Sequence, residues 1–168
     1  MDDRNDVPDL ELYLLRHAHA GNYTEWAGPD ETRPLSAKGR RQAERLGHFL
    51  ADRRFDLDAI VTSPKTRAME TARIVGDALG IGVLTDERLG GPLDLDVLDS
   101  IMGGAGPRVM LVGHDPDFSE LAALLGGAGY LPMKKGALAR IDVSLPLEPG
   151  GGTLRWLLPP DALATDSR

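Results

Sequence analysis

Leu12-Tyr13-Leu14-Leu15-Arg16-His17-Ala18-His19-Ala20 is the stretch that decides how this chain is read. An unbroken apolar run ends on an Arg-His pair. A short run without polar alternation reads as a strand covered on both faces, as in parallel sheets. The carboxyl end of such a strand is where open α/β sheets hold their ligands. Arg16 supplies a planar fork of donors suited to phosphate or carboxylate. His17 supplies a base or nucleophile that titrates near neutrality. The pair alone is a short coincidence. Its weight comes from a second arginine and a second histidine at the ends of two later strands.

Six predicted strands alternate with four predicted helices. The strands are Leu10–Arg16, Ala59–Thr62, Ile81–Leu84, Arg108–Val112, Ala139–Leu145 and Thr153–Leu158. The first helix runs Ser36–Arg53, with Ala43, Leu46, Phe49 and Leu50 at helical spacing. The second opens with Ser63 as N-cap and Pro64 at the first helical position, and stops at Gly80. The third spans Asp94–Met102, and the fourth opens at Asp115 or Pro116 and runs through Leu125. The last two strands pair as a hairpin through the Gly-rich turn Glu148–Gly152. The alternation predicts an α/β three-layer sandwich, with a mostly parallel central sheet flanked by helices.

At 168 residues the chain reads as one domain, residues 1–168, with flexible tails over 1–9 and 162–168. A chain of this size buries roughly 70% of its unfolded surface, enough for a core. No apolar run approaches the roughly 20 residues that span a bilayer. The start is acidic and polar, unlike a signal peptide. Cysteine is absent, so neither disulfides nor thiol chemistry are in play. A cytoplasmic location is expected. The net charge of −7 argues against nucleic acid or an anionic membrane as partner, since both need an extended basic face. An anionic ligand must then be caught in a local basic pocket.

Three segments share one design: Leu15-Arg16-His17, Thr62-Ser63-Pro64-Lys65-Thr66-Arg67 and Val112-Gly113-His114-Asp115. Each is a strand, then a sharp polar turn. If the three strands are parallel neighbours, Arg16, Arg67, His17 and His114 meet in one crevice. Two arginines and two histidines make a phosphate site with a nucleophile in it.

These residues resemble the histidine phosphatase superfamily. Arg16-His17-Ala18 is similar to its Arg-His-Gly signature. Arg33-Pro34-Leu35-Ser36-x-x-Gly39-x-x-Gln42-Ala43 is similar to its helix start, Ser63-Pro64-x-x-Arg67-x-x-x-Thr71-Ala72 to its second arginine motif, and Val112-Gly113-His114 to its second histidine motif. The match runs over roughly residues 10 to 145. The short length and Gly113-His114-Asp115-Pro116 resemble the SixA-type phosphohistidine phosphatases more than the longer phosphoglycerate mutases. The resemblance implies a phosphoglycerate mutase-like fold, His17 as the residue that becomes phosphorylated, and Arg16, Arg67 and His114 as the rest of the phosphate pocket. It implies no metal and no cofactor. The residues agree, since the arginines supply the positive charge a phosphoryl transition state needs.

The glutamate that protonates the leaving oxygen in larger members has no clear counterpart. Glu87 lies in about the right stretch without the flanking pattern, and Asp115 directly follows His114. A weak acid position suits phosphohistidine. An alkoxide is about as basic as hydroxide (water pKa about 15.7) and must be protonated as it leaves. Imidazole, with a pKa near 6.5, departs more easily. The expected substrate is a phosphohistidine protein. A small phosphoester is the alternative, and a non-catalytic phosphate-binding regulatory module is a third reading.

Other residues carry a bland reading beside the sharp one. His19 shares a strand face with His17, but no third metal ligand accompanies them, so it reads as pocket rim. Arg33 is a solvated loop residue or a rim contact to phosphate, and Ser63 is a helix cap first and a phosphate contact second. Lys134-Lys135 flanks the crevice or is a charged turn. Tyr23 and Trp26 line a rim or pack. The Asn22–Thr32 loop is the only length available for a lid.

Overall fold

A computed structural model describes residues 9–165. The strands are β1 (Leu10–Arg16), β2 (Ala59–Thr62), β3 (Val83–Thr85), β4 (Arg108–Gly113), β5 (Leu138–Val143) and β6 (Thr153–Leu158). The helices are α1 (Ala37–Asp52), α2 (Thr66–Leu79), α3 (Leu95–Met102) and α4 (Asp117–Gly126). One sheet runs in the order β3-β2-β4-β1-β5-β6. Its first four strands are parallel, and β5 and β6 run antiparallel to their neighbours. The mostly parallel α/β sandwich expected from the sequence is the fold observed.

The three layers follow from the period of two along a strand. On β1, Leu12 and Leu14 face a cluster with Leu98 and Met102 of α3 and Phe118, Leu121 and Leu125 of α4. Tyr13 and Leu15 face the other way, onto Leu46 and Leu50 of α1 and Ala68, Ala72 and Val75 of α2. Leu12, Leu14 and Leu15 are fully buried, each worth about 2 kcal/mol relative to exposure.

Register brings the strand ends level. Arg16 pairs with Gly113 across β1 and β4, and Thr62 pairs with Val112 across β2 and β4. The ladder continues one step past the strands, with His17 N–H donating to the Gly113 carbonyl at 3.0 Å and Ser63 N–H to the Val112 carbonyl at 2.9 Å. The turns after all three strands therefore open on one side of the sheet.

Several boundaries differ from expectation. α2 begins at Thr66, and Ser63 does not cap it; its Oγ accepts instead from Lys65 N–H at 3.2 Å. β3 begins two residues later than predicted, because Ile81 N–H closes the end of α2 on the Gly76 carbonyl at 2.9 Å. The stretch predicted as tail from Ala162 starts inside a 3-10 turn, Pro160–Leu163, whose Leu163 packs on the α1/α2 side of the core. The expected tail over 1–9 lies, apart from Asp9, outside the described residues, as do 166–168. Among the described residues, no helix is long and apolar enough to cross a membrane.

Candidate active site

The exit of β1 is pinned on three sides. Gly136 N–H donates to the carbonyls of Arg16 (3.1 Å) and His17 (3.0 Å). Ala18 N–H donates to Thr71 Oγ1 of α2 at 3.1 Å, and that hydroxyl donates to the Arg67 carbonyl at 2.7 Å. His19 packs against the start of α1, where a Cβ on Gly39 would sit 1.9 Å from the His19 carbonyl oxygen. Only glycine permits that approach.

His17 is 5% exposed. Its Nδ1 lies 2.7 Å from the Ala18 carbonyl, so Nδ1 carries the proton and donates. Nε2 is left with its lone pair. Burial above all, then repulsion from His114 when that ring is protonated and from Arg67 and Arg16, pushes the His17 pKa down to about 3. The His114 ring lies 5.2 Å away between centroids, with its Nε2 2.7 Å from Ser63 Oγ. Its Nδ1 is buried without a protein partner. Burial, then Arg67 and Lys65, push His114 down to about 3 as well. Both rings are neutral at pH 7.

That neutrality makes stability depend on pH. Between about 3 and 6.5 the unfolded chain binds protons on these two rings and the folded chain does not. Stability is therefore fully present above 6.5 and falls as the pH drops below it, by up to about 1.4 kcal/mol per pH unit for each histidine. Denaturant melts between pH 7.5 and 4.5 are expected to show this decline. The decline should be shallower in a His17→Asn/His114→Asn double variant. Parallel slopes for the two proteins would contradict it.

The arginines flank the rings. Arg16 Nη1 donates to the Met133 carbonyl at 2.7 Å and lies 3.3 Å from Asp115 Oδ2. Arg67, only 6% exposed, donates from Nη1 to the Asp30 carbonyl at 2.9 Å and from Nη2 to Asp30 Oδ2 at 3.1 Å. The Nε of each arginine is buried with no protein partner. Leaving a buried charged donor unpaired is costly. These donors, with His114 Nδ1, therefore suit an anion's oxygens.

The structure thus brings together the four residues expected in one crevice: His17, His114, Arg16 and Arg67. Ser63 joins them through His114. Asp115 sits there too, but fully engaged. Its Oδ1 accepts from Ser119 N–H at 3.0 Å and its Oδ2 from Ser119 Oγ–H at 2.6 Å, and Oδ2 forms an ion pair with Arg16. Glu87 lines a cavity of about 470 Å³ with Glu31, Pro64 and Lys65, the last two directly following Ser63. Arg33 donates to the carbonyls of Ala20 (2.8 Å) and Gly21 (3.3 Å) and braces the loop. His19 Nδ1 lies 2.7 Å from Ser36 Oγ, and Gly21 N–H donates to it at 3.3 Å. His19, Arg33 and Lys135 line a polar cavity of about 490 Å³ with Tyr23. Trp26 donates to the Pro29 carbonyl at 3.0 Å, within its own loop. Asp30 is the residue that sequence reasoning missed. Its one local signal is its place three residues before Arg33, whose Nε donates to Asp30 Oδ1 at 3.1 Å.

Residues 12–90 match the histidine phosphatase superfamily (branch 1). An uncharacterised protein of Picosynechococcus sp. strain PCC 7002 is 32% identical over 139 residues, covering 77% of this chain and 82% of that protein. The chain belongs to the histidine phosphatase superfamily. As a member, it is a hydrolase of the phosphatase class. Among its relatives is the phosphohistidine phosphatase SixA of Escherichia coli K12, 25% identical over 158 residues, covering 90% of this chain and 94% of that protein. The structure of the protein histidine phosphatase SixA complexed with tungstate superposes with a TM-score of 0.79 at 23% identity, covering 92% of this chain and all of the other. That superposition is a likeness of fold.

Proposed function

We propose that this phosphatase hydrolyses protein phosphohistidine through a phosphoenzyme on His17. The observation that carries the reading is the free Nε2 of a buried, neutral His17, oriented by the bond from its Nδ1 to the Ala18 carbonyl. Arg16 and Arg67, each with an unpartnered Nε, stand beside it. In the first step Nε2 attacks phosphorus and forms an N–P bond. The substrate ring carries a proton on its second nitrogen, so the substrate N–P bond breaks with its electron pair leaving on a neutral imidazole. In the second step water attacks phosphorus, the His17 N–P bond breaks, and inorganic phosphate departs. Dividing one difficult displacement into two easier ones is what a covalent intermediate achieves. The arginines neutralise charge on the phosphoryl oxygens in both steps. Ser63 Oγ–H, donating to His114 Nε2, leaves His114 Nδ1–H as a further donor.

The substrate class rests on proton supply and on the likeness to SixA. Asp115 is occupied by Ser119 and ion-paired with Arg16, and Glu87 lines a neighbouring cavity with Pro64 and Lys65. Asp115 does not stand ready as a strong acid for an alkoxide, whereas a phosphohistidine ring protonated on its second nitrogen leaves as neutral imidazole without one. The cavity lined by His19, Arg33 and Lys135 favours a second reading, a small anionic phosphoester held beside the crevice.

Steady-state kcat/KM on a phosphohistidine protein, against a panel of phosphomonoesters, separates the two. We expect at least a tenfold preference for phosphohistidine. Equal or faster turnover of an alkyl phosphate would overturn that substrate assignment and return the search for a proton donor to Glu87 and Asp115.

A further inference from the structure

Each site arginine has one backbone carbonyl and one carboxylate beside it, and each keeps a buried Nε unpartnered. For Arg16 a single nitrogen serves both: Nη1 donates to the Met133 carbonyl at 2.7 Å and lies 3.3 Å from Asp115 Oδ2. For Arg67 both groups come from Asp30: its carbonyl at 2.9 Å from Nη1, and its Oδ2 at 3.1 Å from Nη2. A two-point grip on the outer end of a planar fork fixes both its position and its rotation. We infer that Asp30 is the positioning residue for Arg67, so that the loop after β1 serves as part of the phosphate clamp and not as a lid. The inference rests on the phosphoenzyme reading above and adds to it the residue that orients the second arginine.

Asp30 is itself tied back to the segment that follows His17. Its Oδ1 accepts from Arg33 Nε at 3.1 Å, and Arg33 Nη1 donates to the Ala20 and Gly21 carbonyls. A continuous path thus runs from the backbone just past His17, through Arg33 and Asp30, to the Arg67 guanidinium. Holding the arginine in place beforehand removes reorganisation from the reaction step. Charge argues the same way. A guanidinium as buried as Arg67 needs a counter-charge before any phosphoryl group arrives. Asp30 supplies it from a side chain 47% exposed, so part of the carboxylate's hydration is kept. Burial works against its ionisation, but the hydrogen bond from Arg33 and the charges of Arg67 and Arg33 hold the Asp30 carboxyl below its ordinary range. The grip therefore stays ionised across the working pH range.

A carboxylate on a phosphate-binding arginine has an opposite potential role, that of an internal competitor which the phosphoryl group must displace. The two roles predict opposite signs. Positioning through Arg67 predicts that Asp30→Asn and Asp30→Ala weaken inhibition by inorganic phosphate and lower kcat/KM about 10- to 100-fold, the cost of a displaced clamp. Competition predicts tighter phosphate inhibition and a lower KM.

The deciding experiment is a double-mutant cycle read in kcat/KM, with inorganic phosphate inhibition measured on wild type, Asp30→Ala, Arg67→Ala and the double variant. In the Arg67→Ala background, removing Asp30 is expected to change kcat/KM by less than about twofold, because its effect passes through Arg67. The full loss persisting in that background would overturn the inference, and so would tighter phosphate inhibition in Asp30→Asn. Thermal melts are run alongside, and Asp30→Asn keeps an acceptor in place should Asp30→Ala unfold. Failure of the underlying reading looks different: His17→Ala would keep its activity with Asp30 intact.

Discussion

His17→Ala is expected to lose at least about 10⁴-fold in kcat, and to lose all phosphate label on the protein. Wild-type enzyme mixed with a labelled phosphoramidate and quenched in alkali should carry phosphate that is stable to base and released by acid, as a phosphorus–nitrogen bond requires. The magnitude follows from what the ring does. A loss of 10⁴-fold corresponds to about 5.5 kcal/mol of barrier. Without Nε2, water must attack the substrate directly, and Asp115 is not free to activate it, being held by Ser119 and ion-paired with Arg16. The low pKa of His17, about 3 with burial as its main cause, keeps the lone pair available over the whole range in which the protein is handled. His114→Ala makes the contrast, since it removes only a donor: its label should still form, more slowly. Label on His17→Ala would end the covalent mechanism, whatever the residual rate.

The residues proposed to carry this chemistry were legible because they sit at the ends of strands with a clear signature. β1, β2 and β4 are buried on both faces, so they appear as short apolar runs, and each run ends abruptly at a polar turn. Parallel register then brings Arg16, Ser63 and His114 level without further information. What the chain did not disclose depends on partners distant in sequence. Ser63-Pro64 has the local chemistry of a helix start, yet the hydroxyl is taken by Lys65 N–H and by His114, 51 positions away, and the helix begins later. Ile81 reads as strand because it is β-branched and apolar. The left-handed Gly80, with φ of 70°, instead turns its N–H back onto Gly76 to close α2. Asp30 looks like any acid in a polar loop, because no periodicity marks that segment. Its meaning comes from Arg67, 37 positions away. Asp115 is the reverse case: its place beside His114 suggested a proton donor, and the fold holds it with hydrogen bonds from Ser119 and an ion pair to Arg16.

Arg67→Ala is expected to lower kcat/KM about 10³-fold, and Arg67→Lys about 10²-fold. The difference between the two tests the fork against the bare charge. Arg67 is the second residue of α2. Alanine leaves the helix end in place and removes the guanidinium. Losing a single donor aimed at transition-state charge typically costs about 10²- to 10³-fold, and the guanidinium offers its Nε together with the terminal nitrogens. Lysine keeps a positive charge within a similar reach. It cannot hold the Asp30 carbonyl and carboxylate in one plane while presenting a side-on donor, because an ammonium has no planar fork. Weaker phosphate inhibition should accompany both variants, and the Arg67→Lys value should fall between wild type and Arg67→Ala. Lysine matching arginine in kcat/KM would show that charge alone suffices at this position, and the geometry built around Asp30 would then have no bearing on rate. A hundredfold gap between Arg67→Lys and wild type, with melting temperatures close together, would locate the effect in the direction of the donors, which the loop after β1 sets.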